Sequence, residues 1–326
     1  MANQISVTEA GPARTPSPRS GRASQPGTGG RQRSRPLSKS RSALGRAVVT
    51  PALLLLAVFF FLPVVLMLWM SLFRWPLLGR QTFIGLGNYA TAFQDHDFLQ
   101  AVGFTLLYTV IMTPLLLVIG IGLALLIRRP GRSARIFQSI YFLPVVVGFA
   151  AAGYIWLFMA QPNIGPLLDL LTRVGLAAHS ENWFGTVVGA LTVVCAMVVW
   201  KVAGMQMLLL HAGLQSIPVE LEEAARIDGA SRSQVFRYII LPLLRPTLAL
   251  VLVFSVAGSL LAFDQFYIMS HGGPANQTIT AVYHIYRVSF LGFQLGYGAA
   301  LSALLMVALA IVSAVQMLIL RNSDHN

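Results

Sequence analysis

Apolar residues in this chain gather into six long blocks rather than alternating, at roughly 48–72, 102–127, 136–160, 186–210, 247–270 and 296–320. A helix needs about 20 apolar residues to cross the hydrocarbon core of a bilayer, and each block meets that length. The second, Val102 to Ile127, carries no charge at all. Lipid offers no partner to an open backbone group, so the blocks are read as helices. The alternation of a membrane β-barrel is absent. Pro63, Pro114 and Pro144 fall inside blocks, where neighbouring helices can re-satisfy the carbonyls they free. The pattern predicts an all-α integral membrane protein with six transmembrane helices over residues 48–326.

The first 47 residues differ in kind. They are rich in Ser, Pro, Gly and Arg and almost free of large apolar side chains. Such a segment cannot bury enough surface to fold, which predicts a disordered basic tail. It does not fit a secretory signal, because the block after it is too long and lacks a small-residue cleavage site. The tail is read as solvated, or as touching anionic lipid through its arginines.

Composition sharpens the membrane reading. Only 10% of the 326 residues are charged and 56% are hydrophobic, whereas a soluble domain carries roughly a quarter charged residues. A net charge of +12 raises the question of nucleic acid. The distribution answers it, because the basic residues sit in the tail and in short gaps between blocks. With the N-terminus inside, 18 basic residues face the cytoplasm and four (Arg74, Arg80, Arg173, Arg287) face out. Lys and Arg are retained on the cytoplasmic side, so both termini are predicted inside. The single cysteine, Cys195, lies in an apolar block and reads as a small buried hydrophobe.

The connection over residues 216–246 carries the most information. Ser216 or Ile217 can cap a short helix, Pro218 suits its first turn, and Glu220, Glu222 and Glu223 complement its positive end. Gly229 can take the left-handed conformation that ends it. Ser231 with Gln234 forms a capping-box pattern, and the second run is expected to stop at Pro242. The result is a cytoplasmic helix-turn-helix joining spans four and five. Ala224, Ala225, Gly229 and Ala230 give its turn a low profile, so another protein's backbone can approach closely and push on two spans at once.

Here the chain resembles a known family. Glu223-Ala224-Ala225, three residues, Gly229, nine residues, Ile239, one residue and Leu241-Pro242 match the EAA motif of binding-protein-dependent ABC importer permeases at every anchored position. The likeness extends from about residue 50 to 320 and narrows to the carbohydrate-uptake branch, which includes the maltose and glycerol-3-phosphate permeases. Phe83-x-Gly85-Leu86-x-Asn88-Tyr89, Phe263-Asp264-x-x-Tyr267 with Gly272-Gly273-Pro274, and Gly296-Tyr297-Gly298 carry it. Ser270-His271 departs from that branch, which often has Thr before the Gly-Gly-Pro turn.

The resemblance implies a type I ABC importer permease fold in a bacterial inner or plasma membrane. It implies a heterodimer with a second permease subunit, two ATP-binding subunits, an extracytoplasmic solute-binding protein and a carbohydrate-like substrate. Glu223, Ala224, Ala225, Asp228, Gly229, Leu241 and Pro242 would couple to the ATPase. ATP and magnesium would be bound by that partner, with no cofactor or metal on this chain and no nucleic acid.

The residues themselves agree that this chain is no ATPase. A phosphate-cradling loop needs Gly-x-x-x-x-Gly-Lys-Ser/Thr, and the only lysines, Lys39 and Lys201, have no such context. No catalytic motif appears, and the histidines, His179, His271 and His284 among them, scatter without metal-ligand spacing. Lys201 and Asp264 are charges inside apolar blocks, each costing roughly 2.5–3.5 kcal/mol near the bilayer centre. Lys201 is expected to find a partner in the bundle or to face the cavity. Asp264 is expected either to bond the turn after it or to line the solute path. Tyr154, Trp156, Gln206, Gln265 and Tyr267 are further solute candidates by residue type. The rival from another class, an ion-coupled secondary transporter, would need an inverted repeat and more buried carboxylates.

Overall fold

The computed structural model describes residues 49–76, 78–128, 131–175 and 182–322. The expected tail over 1–47, Arg129 and His179 lie outside the described residues. Chain contacts divide into two units, Met1–Leu55 and Leu56–Asn326. Of the first, residues 49–55 are helical. The second holds the packed helices.

Among the described residues, four helices are long and apolar enough to cross a membrane: α1 (Val49–Met70), α3 (His96–Leu126), α7 (Val187–Gln215) and α12, whose apolar stretch is Leu295–Ile319. Between α1 and α3 lie a two-residue hairpin, β1 (Phe73–Arg74) paired with β2 (Thr82–Phe83), and the short helix α2 (Gly87–Ala92). Asn88 donates to the carbonyls of Ser71 (2.7 Å) and Phe73 (2.9 Å), while Tyr89 shares a hydrogen bond with Ser71 (2.7 Å). These bonds fasten the end of α1 to α2.

Two blocks depart from the expected single helices. The block at 136–160 is two helices, α4 (Arg132–Val146) and α5 (Phe149–Met159), bent by 100°. Pro144 withholds one backbone donor and Gly148 is a poor helix former, so the chain opens between them. A short helix, α6 (Pro166–Arg173), comes after α5, started by its proline and closed by an Asp169–Arg173 pair at 2.8 Å. The block at 247–270 is α10 (Arg245–Leu260), then a break and a π turn at Phe266–Ser270. α10 is preceded by α9 (Arg232–Leu243) at 71°. Only as bent pairs do α4 with α5, and α9 with α10, reach the length of a crossing. The second block is longer than expected: α3 starts at His96 because Asp95 caps it, accepting from the amides of Asp97 (3.0 Å) and Phe98 (3.2 Å).

Two prolines are preceded by a widened turn. Ahead of Pro63, the amide of Leu62 reaches the carbonyl of Ala57; ahead of Pro242, that of Leu241 reaches Phe236. The extra residue draws the carbonyl four positions back away from the proline ring, so the helix bends instead of ending.

The core runs along α3, α7 and α10. Phe104, Tyr108 and Met112 of α3 pack with Val194 and Met197 of α7 and with Phe266. Cys195 is buried in that cluster, next to no other cysteine. At the α12 end, Tyr297 donates to Asp95 (2.7 Å), with His284 of α11 (Ala281–Tyr286) alongside. Burial works against the charged Asp95, yet the bonds from Tyr297, Phe98 and Asp97 and the neighbouring His284 hold its carboxyl below the ordinary range.

Glycine permits the tightest approach. A Cβ on Gly204 of α7 would overlap the carbonyl of Tyr141 in α4, whereas one on Gly258 of α10 meets nothing within 4 Å. We expect Gly204→Leu to separate α4 from α7 and cost more than the roughly 1–3 kcal/mol of ordinary overpacking. Gly258→Ala should be neutral or slightly stabilising. Membrane-inserted yield and thermal unfolding in detergent check both.

Candidate coupling site and solute path

The sequence after α7 folds locally for reasons visible residue by residue. Ser216, expected as a possible cap for the next helix, instead closes α7, its hydroxyl donating to Gly213 (2.8 Å). The cap of α8 (Val219–Ile227) is Pro218, whose fixed φ and extended ψ of 131° turn the chain into the helix. Glu220 and Glu222 occupy its first turn. At the other end Gly229 has φ +84°. Its amide bonds to Arg226 (3.1 Å) and that of Ala230 to Ala225 (2.9 Å), the paired bonds of a Schellman closure. Ser231 and Gln234 then exchange both capping-box bonds, at 2.8 and 3.3 Å. α8 and α9 are thus joined by a short turn whose backbone bonds are made locally. α9 does not stop at Pro242; the widened turn carries it to Leu243.

The two sides of this turn differ sharply. Inward, Val235, Ile240 and Leu244 pack with Leu210 and Leu214 of α7, Ala124 of α3 and Val251 of α10, with Ala225 and Ala230 against them. Outward, Glu223, Ala224, Asp228 and Gly229 are exposed, and Ile227 stands 86% exposed among them. A hollow of about 310 Å³ opens beside them, lined by Asp228, Gly229, Ala230, Gln234 and Tyr238. Of the remaining motif residues, Leu241 is half-buried, Pro242 likewise, and Ile239 lies with them between the two sides.

Glu222, read from the sequence only as complementing the positive end of the helix, has a burial and a partner that sequence reasoning missed. It is only 6% exposed and meets the Arg128 guanidinium just past the end of α3, with Arg226 at 3.7 Å on its second oxygen. Burial, then the charge of Arg226, pushes the Arg128 pKa down, but a guanidinium stays charged near neutrality. One signal was available: Glu222 lies three residues before half-buried Ala225, on the same helical face.

Lys201 is buried in α7 at the break between α4 and α5. Its ammonium donates to the carbonyls of Val147 and Val145 (3.4 Å for the latter) and sits 4.6 Å from the Phe149 ring centre. A helix end carries partial negative charge on its unpaired carbonyls, and a cation there replaces the missing amides.

The solute candidates divide. Gln206 is buried, donating to Ser255 (2.7 Å), and Gln265 is buried, donating to Tyr108 (3.5 Å). Tyr154 and Tyr267 are exposed, and Trp156 leans on Trp200. Asp264 is exposed at the break after α10, and the turn beyond it is held by other groups. The Thr278 hydroxyl lies within hydrogen-bond distance of Ser270 Oγ (2.8 Å) and of the Gly273 carbonyl (2.7 Å), and Thr280 donates to Ala262 (2.6 Å). Around Asp264, Phe263 and Tyr267 stack at 5.2 Å, and Tyr283, Tyr286 and Phe290 extend the aromatic cluster.

The described residues thus form a helical membrane subunit whose α8–α9 turn is packed on one side and exposed on the other. The family described as binding-protein-dependent transport system inner membrane component matches residues 117–323, and the chain belongs to it. The chain is 34% identical over 288 residues to the sn-glycerol-3-phosphate transport system permease protein of Agrobacterium fabrum, covering 85% of this chain and 94% of the relative. It is 34% identical over 281 residues to the sulfoquinovosyl glycerol transport system permease protein of the same organism, covering 85% and 90%. It is 32% identical over 265 residues to the multiple sugar-binding transport system permease protein of Streptococcus mutans, covering 81% and 90%. Among solved structures, a chain of the bacterial alginate ABC transporter, in complex with alginate pentasaccharide-bound periplasmic protein, superposes with a TM-score of 0.72. That match has 22% identity and covers 88% of this chain and 94% of that one. The fold is therefore that of the type I ABC importer permeases.

Lys201→Met should leave the carbonyls at the α4–α5 break unpaired, at about 1.5–3 kcal/mol for a charge-assisted bond. Lower yield and melting temperature with unchanged apparent solute affinity is the expected result; a changed affinity at normal yield would place Lys201 on the solute path.

Proposed function

We propose that this chain forms half of the translocation path for a sugar or sugar-like solute in a binding-protein-dependent importer, and that the α8–α9 turn transmits the ATP-driven closure of separate nucleotide-binding subunits to the membrane helices, opening the cavity outward. The observation that carries this reading is the two-sidedness of that turn. Its inner face is packed among three membrane helices, while Glu223, Ala224, Ile227, Asp228 and Gly229 lie open to a partner.

In this reading the chain crosses a bacterial inner membrane six times, with the bent pairs counted as spans and both termini in the cytoplasm. The 18-to-4 distribution of basic residues supports that orientation. A second permease subunit completes the path, two ATP-binding subunits grip the coupling turns, and an extracytoplasmic binding protein delivers the solute. Leu241 and Pro242 transmit the movement into α10. ATP and magnesium belong to the partner, and this chain holds no cofactor.

The solute class rests on two supports. The Agrobacterium and Streptococcus relatives are named for sugars and for glycerol conjugates. The cluster of Phe263, Tyr267 and Tyr286 beside Asp264 offers what a carbohydrate requires, an apolar ring face next to a hydrogen-bond acceptor. Tyr154 is placed on the same path, whereas Gln265 and Lys201 act from within the bundle.

Glu223→Lys leaves the inner face untouched, and Gly229→Asp strains only the left-handed closure of the turn, so both should insert into the membrane. In the assembled importer we expect uptake to fall by about ten-fold or more, since one charge placed in a close-packed contact costs at least about 1.4 kcal/mol. Normal uptake in both variants would remove the coupling assignment. Uptake by the native importer should also stop with vanadate.

A further inference from the structure

Two membrane helices adjoin the coupling turn directly in sequence, α7 before it and α10 after it. The structure adds a third. α8 is held at its inner face by the carboxylate of Glu222, which meets Arg128 immediately beyond the last turn of α3. Both groups are largely withdrawn from water, Glu222 more than Arg128, so their attraction is weakly screened. Ile127, 2% exposed, seats the chain between them and α3. Among the described residues, Arg128 is the only charged group that α3 and its C-terminal cap region present to α8.

α3 is also the longest helix described, 31 residues, about 46 Å at 1.5 Å per residue. Its far half touches the solute-path region at several points. Tyr108 accepts from Gln265 and packs edge-on against Phe266 (5.0 Å). Thr105 accepts the amide of Ala281 (2.8 Å). Asp95, capping its first turn, accepts from Tyr297. The elements beyond Asp264 are thereby hung on α3.

We propose that the Glu222–Arg128 ion pair is a hook by which the coupling turn moves α3, and that α3 carries this movement as a strut to the Asp264–Tyr286 end of the path. Glu222 is in this sense a positioning residue. Its neighbour Glu223 faces the motor and Glu222 faces the transported load. The inference rests on the docking of an ATPase at Glu223–Gly229.

The test uses the complete importer in liposomes, with Glu222→Gln, Arg128→Gln and the double variant. A reporter, Gln100→Cys on the exposed side of α3 with Cys195→Ser removing the only native thiol, is labelled before and after ATP–vanadate trapping. In each single variant uptake should fall about ten-fold, because breaking a buried pair leaves its partner uncompensated. ATP hydrolysis stimulated by the loaded binding protein should persist, and the trapping-dependent change in labelling at residue 100 should shrink. The double variant should fall no further than either single one. Conservative Glu222→Asp should recover part of the uptake. Wild-type uptake in the single variants, multiplied losses in the double variant, or an unchanged labelling response would each overturn the hook. Loss of ATPase assembly in Gly229→Asp but not in Glu222→Gln separates failure of the docking reading from failure of this one.

Discussion

Inside hydrocarbon no water replaces a lost backbone hydrogen bond, so the breaks in this protein's helices are answered by named groups. The break between α4 and α5 frees the carbonyls of Val145 and Val147, and Lys201 occupies them. The break after α10 frees that of Ala262, and Thr280 donates to it. The start of α11 exposes an amide at Ala281, and Thr105 accepts it. Broken helices persist in a membrane protein only on these terms, and the arrangement of α3, α7 and α10 is what brings the answering groups into place.

The same logic shapes the turn between α8 and α9. Its backbone satisfies itself locally, through the Schellman closure at Gly229 and the capping box at Ser231. The exposed side chains from Glu223 to Asp228 are therefore not committed to holding the turn's backbone together. The inner side chains embed it in the apolar cluster around Leu210, Ile240 and Leu244, and the outer ones remain open to a partner.

Much of this was legible in the residues. The uncharged run from Val102 to Ile127 required a membrane helix, and the Glu223–Pro242 spacing identified the family that the match over residues 117–323 then showed. Gly229 and the Ser231–Gln234 pair were readable because caps act over three or four residues. The blocks at 136–160 and 247–270 misled because hydropathy measures solvent preference, which a bent helix satisfies as well as a straight one. Pro242 misled in the opposite direction: a proline ends a helix only when no widened turn relieves it.

The sequence alone determined that this chain lives in lipid and carries a tight, locally capped turn between two short helices, because composition and local capping need no knowledge of neighbours. Only the tertiary structure decided which of two adjacent glutamates faces inward, what neutralises Lys201, and which solute candidates are buried in the bundle. Those outcomes depend on residues such as Arg128 and Val147, dozens of positions away in the chain, which nothing but packing brings within reach.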